Sequence, residues 1–575
     1  MLPLCCQKAA LSPSFLKRGI FVIQTLLANY YAVYWPWLAV CCVVNGALLF
    51  YVKNHLKKKT LSLPFSSPAS SCAIDCRDQQ RVLIIAILFM AWKTLWLGRE
   101  NIDIMETGNF GLSSWVSIDN FVRSAHQPLY HLLLNMLFRL FSLQPHISEE
   151  LIVISRFISV LFGGLITVLL YRFSFLVLNN RLAAYTGIVL LNIHALFSFY
   201  ARRIESYIVL SFFILLSYHF FWKTFIIGQE KKIWKYCVVT ILCFFVHYVT
   251  LPVLLSQLFT MVVLKLRKHS PAMHLFWNFI RALLVFAFAF ILYWPFPYLS
   301  FFKIPYFFSD SWINNFFLEK EYIAAVIYSD IRLVLGVPPS FFLSFFVYGF
   351  IILVLLKLKK ENFPFFLLVM SMMLFCVVYG AAILLSALSS IGKFYFNPRY
   401  FIWFVPFSVL MVSSGISILR EKNNFYKQTL ACVSFVSIFI FNFYITNKVL
   451  SENLTPAYKK AAYYITSNIK EEDCVVWPNG GLTRLIKFYL QMGKPGEFSP
   501  HRYGSRNLEE LMQCGMSYKR IWLIVPWEDF FGMPHASEKM LKQYLGFAKE
   551  NFVLKSHWRG NKIDVYLFTV NKDKN

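Results

Sequence analysis

Asp103 and Glu106 stand three residues apart, just past an apolar run that ends near residue 98. Carboxylates at that spacing can serve as a general base or help hold a metal; a solvated, charge-balanced helix exit is the plainer reading. Further on, His126-Gln127-Pro128-Leu129-Tyr130-His131 opens a Leu/Phe-rich amphipathic stretch that reaches Phe141 and carries Asn135 and Arg139. Such a stretch suits a helix lying along a membrane interface, its His and Tyr either touching a lipid headgroup or acting as an interfacial anchor. A third cluster, Tyr200-Ala201-Arg202-Arg203-Ile204-Glu205-Ser206-Tyr207, joins two apolar runs. Guanidinium stays charged and grips phosphate through two parallel hydrogen bonds, so the arginines suit a phosphate site; an Arg–Glu pair capping a helix hairpin is the alternative. His247-Tyr248, at a turn inside a long apolar stretch, could donate to a polar substrate or simply satisfy the turn. Lys393 and Asn397-Pro398-Arg399-Tyr400 precede a late apolar run. Pro398 suits the first turn of a helix, and Arg399 reads as a phosphate ligand or a snorkelling interfacial side chain.

The elements that must hold these groups follow from composition. Of 575 residues, 58% are hydrophobic and 15% charged, with a mean hydropathy of +0.55. Soluble domains carry roughly 45–50% apolar and about 25% charged residues, so an ordinary soluble enzyme is excluded, as are disordered and collagen-like chains. The 61 Phe, 31 Tyr and 15 Trp are far too many for a solvated surface. A net charge of +27 in such a chain points to basic cytoplasmic loops rather than to nucleic acid. The expected class is a polytopic α-helical membrane protein.

A membrane-crossing helix needs about 20 mostly apolar residues. Spans are expected near 81–98, 151–172, 182–199, 206–226, 275–296, 336–357, 363–387, 400–419 and 428–446. The stretch 236–265 is too long for one span and reads as a hairpin turning near His247. Residues 19–52 add one or two helices, with no small-residue cleavage site of a secretory signal, which makes 12 or 13 spans and fits a class with about 11–13. Alternate loops differ in charge. Segments 53–81, 172–181, 223–235, 265–281, 357–360 and 420–427 carry 22 Lys and Arg, whereas 99–150, 200–205, 247–250, 297–335 and 388–399 carry 10. The first set is expected in the cytoplasm and the second outside it, together with the C-terminal tail.

Three regions are expected: 1–80 with extra N-terminal helices and a Ser/Pro linker, 81–446 as the membrane domain with first outer loop 99–150, and 447–575 as an extracytoplasmic α/β domain. In the last, apolar runs shorten to strand length, as at Cys474–Trp477 and Ile521–Pro526, between Lys- and Glu-rich helical stretches. Cys474 and Cys514 could form a disulfide there or remain a free buried pair. The remaining cysteines lack zinc-like spacing, and the acids are too sparse to define a metal site, although a divalent metal is not excluded.

Taken together, the polar clusters fall on one membrane face, and their order resembles the GT-C superfamily of membrane glycosyltransferases. The likeness is greatest to the dolichyl-phosphate-mannose protein mannosyltransferase-like and aminoarabinose-transferase-like families. Those chains carry an acidic motif in the first outer loop, then a His-Pro-Pro-Leu-Tyr-Tyr-like segment, matched here by residues 126–131. Ser155-Arg156-Phe157-Ile158-Ser159 with Gly163-Gly164, the turn Tyr200 to Tyr207, Val246-His247-Tyr248 and Pro398-Arg399-Tyr400 match their further motifs in order. The resemblance covers roughly 81–490. It departs at Met105-Glu106, where adjacent acids are usual and Asp103 is displaced, and at Glu205, where an arginine is expected.

What the resemblance implies is sugar transfer from a polyprenyl-phosphate donor to a glycolipid, polysaccharide or protein acceptor, with inversion. Asp103 or Glu106 would be the base, and Arg202, Arg203, Arg399 and Lys393 would bind the donor phosphate. His126, Tyr130, Tyr207, His247, Tyr248 and Tyr400 would line the substrate. No cofactor is implied with certainty. The expected location is a bacterial inner membrane, with catalysis on the outer side. Two competing readings are a transporter or flippase for lipid-linked or anionic solutes, which would normally show paired repeats and broken helices, and a non-catalytic scaffold of the same type.

Overall fold

The computed structural model describes residues 76–95, 97, 128–140, 149–247, 249–293, 341–389, 398–419, 424–451, 458–470, 473–476, 518–526, 538–560 and 563–570. Helices come first: α1 (Cys76–Thr94), α2 (Pro128–Leu140), α3 (Glu149–Leu178), α4 (Arg181–Ile193), α5 (Ala195–Tyr200) and α6 (Tyr207–Phe221). A π turn (Trp222–Ile226) and a 3-10 turn (Glu230–Lys232) lead into α7 (Ile233–Val246), α8 (Thr250–Leu266) and α9 (Ser270–Tyr293). Next are α10 (Phe341–Glu361), α11 (Phe363–Ser389), a 3-10 helix (Pro398–Phe404), α12 (Val405–Ser414), α13 (Ile416–Leu419) and α14 (Phe425–Ser451). The C-terminal part contains α15 (Tyr458–Asn468), β1 (Asp473–Val476), β2 (Arg520–Pro526), α16 (Glu538–Asn551), β3 (Phe552–Gly560) and β4 (Ile563–Val570). The architecture is therefore a polytopic helical membrane protein with a small C-terminal α/β portion. Among the described residues, Leu151–Leu178, Tyr207–Ile226 and Phe425–Lys448 are long and apolar enough to cross a membrane, and five shorter apolar helices accompany them.

Among the described residues the helices fall where the apolar runs place them, and the hairpin expected around His247 is formed by α7 and α8; the run at 19–52 lies outside the described residues. Several are interrupted. The run at 182–199 breaks at His194, whose extended backbone separates α4 from α5. The run at 400–419 starts as a 3-10 helix and bends again at Gly415. At Gly415 a β-carbon would fall 2.2 Å from the Phe350 ring and 2.9 Å from Val354, so the glycine lets α12 and α10 approach closely. Gly164 does the same for α3 against Met90 of α1. The stretch after Pro128 is helical, but Tyr130, His131, Leu134 and Phe138 are buried and α2 packs on α7. Protein contact, rather than anchoring at an interface, accounts for that face.

Polar side chains pin the middle of the bundle. Gln257 of α8 accepts from the Tyr236 hydroxyl at 2.7 Å and donates to Ser217 of α6 at 3.3 Å. Ser217 in turn meets Thr240 of α7 at 3.0 Å, and Thr260 of α8 meets Ser371 of α11 at 3.0 Å. Inside a bilayer such bonds hold helices that the hydrophobic effect alone does not drive together, each adding about 0.6–2 kcal/mol.

The C-terminal sheet runs in the order β1-β2-β4-β3, with β1 and β2 parallel and the other pairs antiparallel. Side chains alternate along β2. Ile521, Leu523 and Val525 pack with Ala548 of α16, while Trp522 points to the other face, where Tyr464 of α15 meets it edge-on at 5.8 Å. Helices on both faces explain why 521–525 reads as one apolar run. Cys474 is disulfide-bonded, so a thiol is not retained at that position; its partner lies outside the described residues.

Asp473, 1% exposed at the start of β1, accepts from Arg520 Nε at 2.7 Å, Trp522 Nε1 at 2.8 Å and the Lys470 amide at 2.9 Å. Burial works against this carboxylate, but the donors outweigh it and hold its pKa below the ordinary value. The stabilisation is therefore present above the unfolded carboxylate's pKa of about 3.9 and is lost as pH falls below it. Asp473→Asn should destabilise the C-terminal portion at neutral pH by about 1–3 kcal/mol. The deficit relative to the unsubstituted chain should narrow on acidification, as read from limited-proteolysis midpoints between pH 3 and pH 7.

Candidate functional site

Three helix ends converge around one short turn. The Leu97 carbonyl, just past α1, accepts from Arg156 Nη1 of α3 at 2.7 Å. One turn further along α3, Ser159 Oγ donates to the Arg203 carbonyl at 2.6 Å. One turn beyond that, Gly163 packs beside Ala201, where an added β-carbon would make ordinary van der Waals contact at 3.4 Å. The first half of α3 thus holds both Leu97, just past α1, and the 201–206 turn that links α5 to α6.

That turn is dry. Arg202 is 1% exposed, Arg203 0% and Glu205 4%, and the Arg203 guanidinium lies 4.5 Å over the Phe199 ring. Arg156 is also fully buried. A guanidinium keeps its charge at any ordinary pH, so each buried copy must be met by acceptors, anions or aromatic faces. Lys93, 1% exposed, lies one turn inside Leu97; its Nζ donates to Asn192 Oδ1 at 2.9 Å and sits 4.5 Å from the Phe197 ring centre.

Aromatic groups extend the site along the same end of the bundle. The Tyr207 ring lies 6.3 Å from Tyr200 and 5.3 Å from His247. His247 Nδ1 accepts from the Val249 amide at 3.2 Å, and its carbonyl accepts from Thr250 Oγ1 at 2.9 Å. With Nδ1 accepting, the proton of the neutral ring sits on Nε2. His247 therefore shapes the hairpin and keeps a donor nitrogen beside Tyr207. The 3-10 helix that carries Arg399 and Tyr400 packs against α5, α6 and α12, so its backbone belongs to the same end. Among the described residues, Asn362 Nδ2 bonds the Val177 carbonyl at 2.8 Å and Arg181 pairs with Asp78 at 3.2 Å, far along the helices from the 201–206 turn.

Of the residues expected to act, Arg202, Arg203, Tyr207 and His247 come together. Tyr130 is buried on α2, which packs against α7, the helix that ends at His247. Asp103, Glu106, His126, Tyr248 and Lys393 lie outside the described residues. Among the described residues no group of three or more His, Cys, Asp and Glu could hold a metal.

Sequence reading missed Lys93, Asn192 and the pair Asn442 and Thr446. The last two, four apart on α14, serve the backbone opened at His194: Asn442 Oδ1 accepts from the Ala195 amide at 3.3 Å, and Thr446 Oγ1 donates to the Ile193 carbonyl at 2.6 Å. Polar residues spaced by one turn inside an apolar run were a readable signal. A lysine near a span end was not, because snorkelling to water explains it equally well.

No family model matches the chain, and no curated protein matches it. Among solved structures, a crystal structure of ArnT from Cupriavidus metallidurans bound to undecaprenyl phosphate is similar at 12% identity and a TM-score of 0.48, with 85% of this chain and 97% of that chain covered. The same protein in the apo state is similar at 12% identity and a TM-score of 0.46, covering 86% and 98%. Likeness at that level assigns neither fold family nor activity to this chain.

Lys93→Ala should lower stability by about 1–3 kcal/mol, since it leaves Asn192 Oδ1 without that donor and opens a void. Lys93→Gln, which keeps a donor, should lose less. Alkylation of the buried free thiols Cys237 and Cys243 during heating reads the difference.

Proposed function

We propose that the chain is a GT-C-type glycosyltransferase that moves a sugar from a polyprenyl-phosphate carrier to a lipid, glycan or protein acceptor. The observation that carries this reading is the burial of Arg202 and Arg203 in a turn held by Ser159, at the bundle end that also bears Tyr207, His247 and the Arg399 segment. An enzyme that expels a lipid-borne phosphate needs fixed cations in a partly dehydrated site at the membrane surface. Guanidinium groups pinned by packing supply that without reorganising.

The reaction requires one displacement. The acceptor oxygen attacks the anomeric carbon and its proton passes to a carboxylate, while the carbon–oxygen bond to the phosphate breaks and the electron pair leaves with the phosphate. Arg202, Arg203, Arg399 and Lys393 take the charge that grows on the phosphate. Asp103 is the preferred base and Glu106 the alternative. The tie between Leu97 and Arg156 supports this, because six residues of chain reach at most about 20 Å, which keeps Asp103 tethered near the buried arginines. Attack opposite the leaving phosphate gives inversion. His126, Tyr130, Tyr207, His247, Tyr248 and Tyr400 line the sugar and headgroup.

The same reading sets location and organisation. The disulfide at Cys474 favours an oxidising compartment, in line with the scarcity of Lys and Arg in the loops at the site's end. Catalysis and residues 447–575 then lie outside the cytoplasm, with 81–446 as the membrane domain and 1–80 preceding it, in a bacterial inner membrane.

The test is sugar transfer by the purified full chain in proteoliposomes, using a polyprenyl-phosphate sugar donor. Asp103→Asn and Glu106→Gln are made separately and together; loss of the base should cost about 100-fold to 10,000-fold in turnover. Full transfer by the double variant would remove the base from the account. Arg203→Gln should lower kcat by about 100-fold to 1,000-fold with a smaller change in KM, since its charge is needed most as the phosphate departs.

A further inference from the structure

At the opposite end of the bundle, a second group of cations converges that the proposed reaction does not use. Helix α6 widens into the π turn Trp222–Ile226, in which the Ile227 amide bonds the Trp222 carbonyl at 3.0 Å. The chain then reverses at Gly228, whose φ of 90° is open to glycine and strained for other residues. The Gln229 amide returns to the Lys223 carbonyl at 2.8 Å, which folds the Glu230–Lys232 turn back against the π turn. This reversal brings Lys232 and Lys235, together with Arg172 of α3, within electrostatic reach of Lys223. His219, whose ring meets Phe173 edge-on at 6.3 Å, lies within reach of Arg172, Lys223 and Lys232.

The cluster has cations and little to balance them. Among the described residues, neither the Arg172 guanidinium nor the Lys223 ammonium has a hydrogen-bond or ionic partner. Glu230, the nearest acid in sequence, forms no ion pair with any of the four among the described residues. Burial and the neighbouring Lys235 both lower the pKa of Lys232, as expected where like charges crowd. Two buried polar atoms of the same turn, His219 Nδ1 and Thr224 Oγ1, also lack a hydrogen-bond partner. His219 is 7% exposed and Thr224 0%. Like charges repel, so holding four of them around unsatisfied polar atoms costs stability unless an anion joins them. Lys223 stands near the end of the Tyr207–Ile226 span and the exposed Arg172 in the last two turns of the Leu151–Leu178 span, from where long cationic side chains reach headgroup depth.

We infer that Arg172, Lys223, Lys232 and Lys235 form a binding site for the phosphate of an anionic phospholipid headgroup in the leaflet opposite the proposed catalytic site. The phosphodiester oxygens accept from the ammonium and guanidinium groups. The acyl chains lie along the apolar surface of α3 and α6. A lipid at this place braces the π turn and the reversal at Gly228, and its binding is independent of sugar transfer.

The test uses the full chain purified in detergent with equal amounts of phosphatidylglycerol and phosphatidylcholine, and native mass spectrometry to count retained lipid. Arg172→Gln/Lys223→Gln/Lys232→Gln should lower phosphatidylglycerol retention at least about tenfold, because each cation near the surface contributes about 1 kcal/mol. Phosphatidylcholine retention should not change. Arg172→Gln alone, at an exposed position, should give a partial loss if the triple variant folds poorly. Lys359→Gln/Lys360→Gln, at the exposed end of α10, should retain phosphatidylglycerol as the unsubstituted chain does. Equal retention by the triple and single variants and the unsubstituted chain would overturn the inference, as would an equal loss in the α10 control. Displacement of the lipid by millimolar inorganic phosphate would also overturn it, since that would make the site one for free phosphate.

Discussion

A guanidinium cannot shed its charge to enter a dry interior, and this constraint governs the end of the bundle around residues 201–206. Arg156, Arg202 and Arg203 are buried there with Lys93 close by. Arg156 is met by the Leu97 carbonyl past α1 and Lys93 by Asn192 of α4, which draws α1, α3 and α4 toward one short turn. The aromatic choices follow. Phe197 and Phe199 give faces to two of the cations. Apolar residues of the same volume would pack at lower cost, so retention of charge at this depth points to a task beyond packing.

The two ends of the bundle solve opposite problems with the same residue types. At one end the arginines are sealed in a turn tied by a serine. At the other, Arg172 and the lysines around the π turn are partly open to the headgroup region. A sealed cation suits a charge that develops during a reaction, whereas an open cluster suits a charge that is always present. The Asp78 carboxylate, bound by Arg181 and by the Tyr185 hydroxyl, marks a third use at that same second end, where an ion pair links α1 to α4.

Much of the helical framework was legible because apolar run length is a strong signal, and because His247 interrupts a run too long for one crossing. The interruptions were less legible. His194 breaks a helix that periodicity alone would continue, and the break is tolerated because Asn442 and Thr446, about 250 residues away, satisfy its backbone. Such a partner is invisible to local pattern. The π turn at Trp222–Ile226 and the 3-10 helix at Pro398–Phe404 keep helical composition while changing hydrogen bonding, so nothing in residue type announces them. Within the site, Arg202, Arg203, Tyr207 and His247 were legible as charged or polar groups in apolar surroundings. Lys93 and Asn192 were not, because their meaning depends on a contact 99 residues apart.

The most direct measurement is photocrosslinking of the membrane-reconstituted chain with a polyprenyl phosphate carrying a photoreactive group next to its phosphate, followed by peptide mapping. The account predicts label on residues 200–207 and 398–404, reduced when unlabelled polyprenyl phosphate is added in excess. Label confined to residues 222–235, with none on the 200–207 turn, would contradict it.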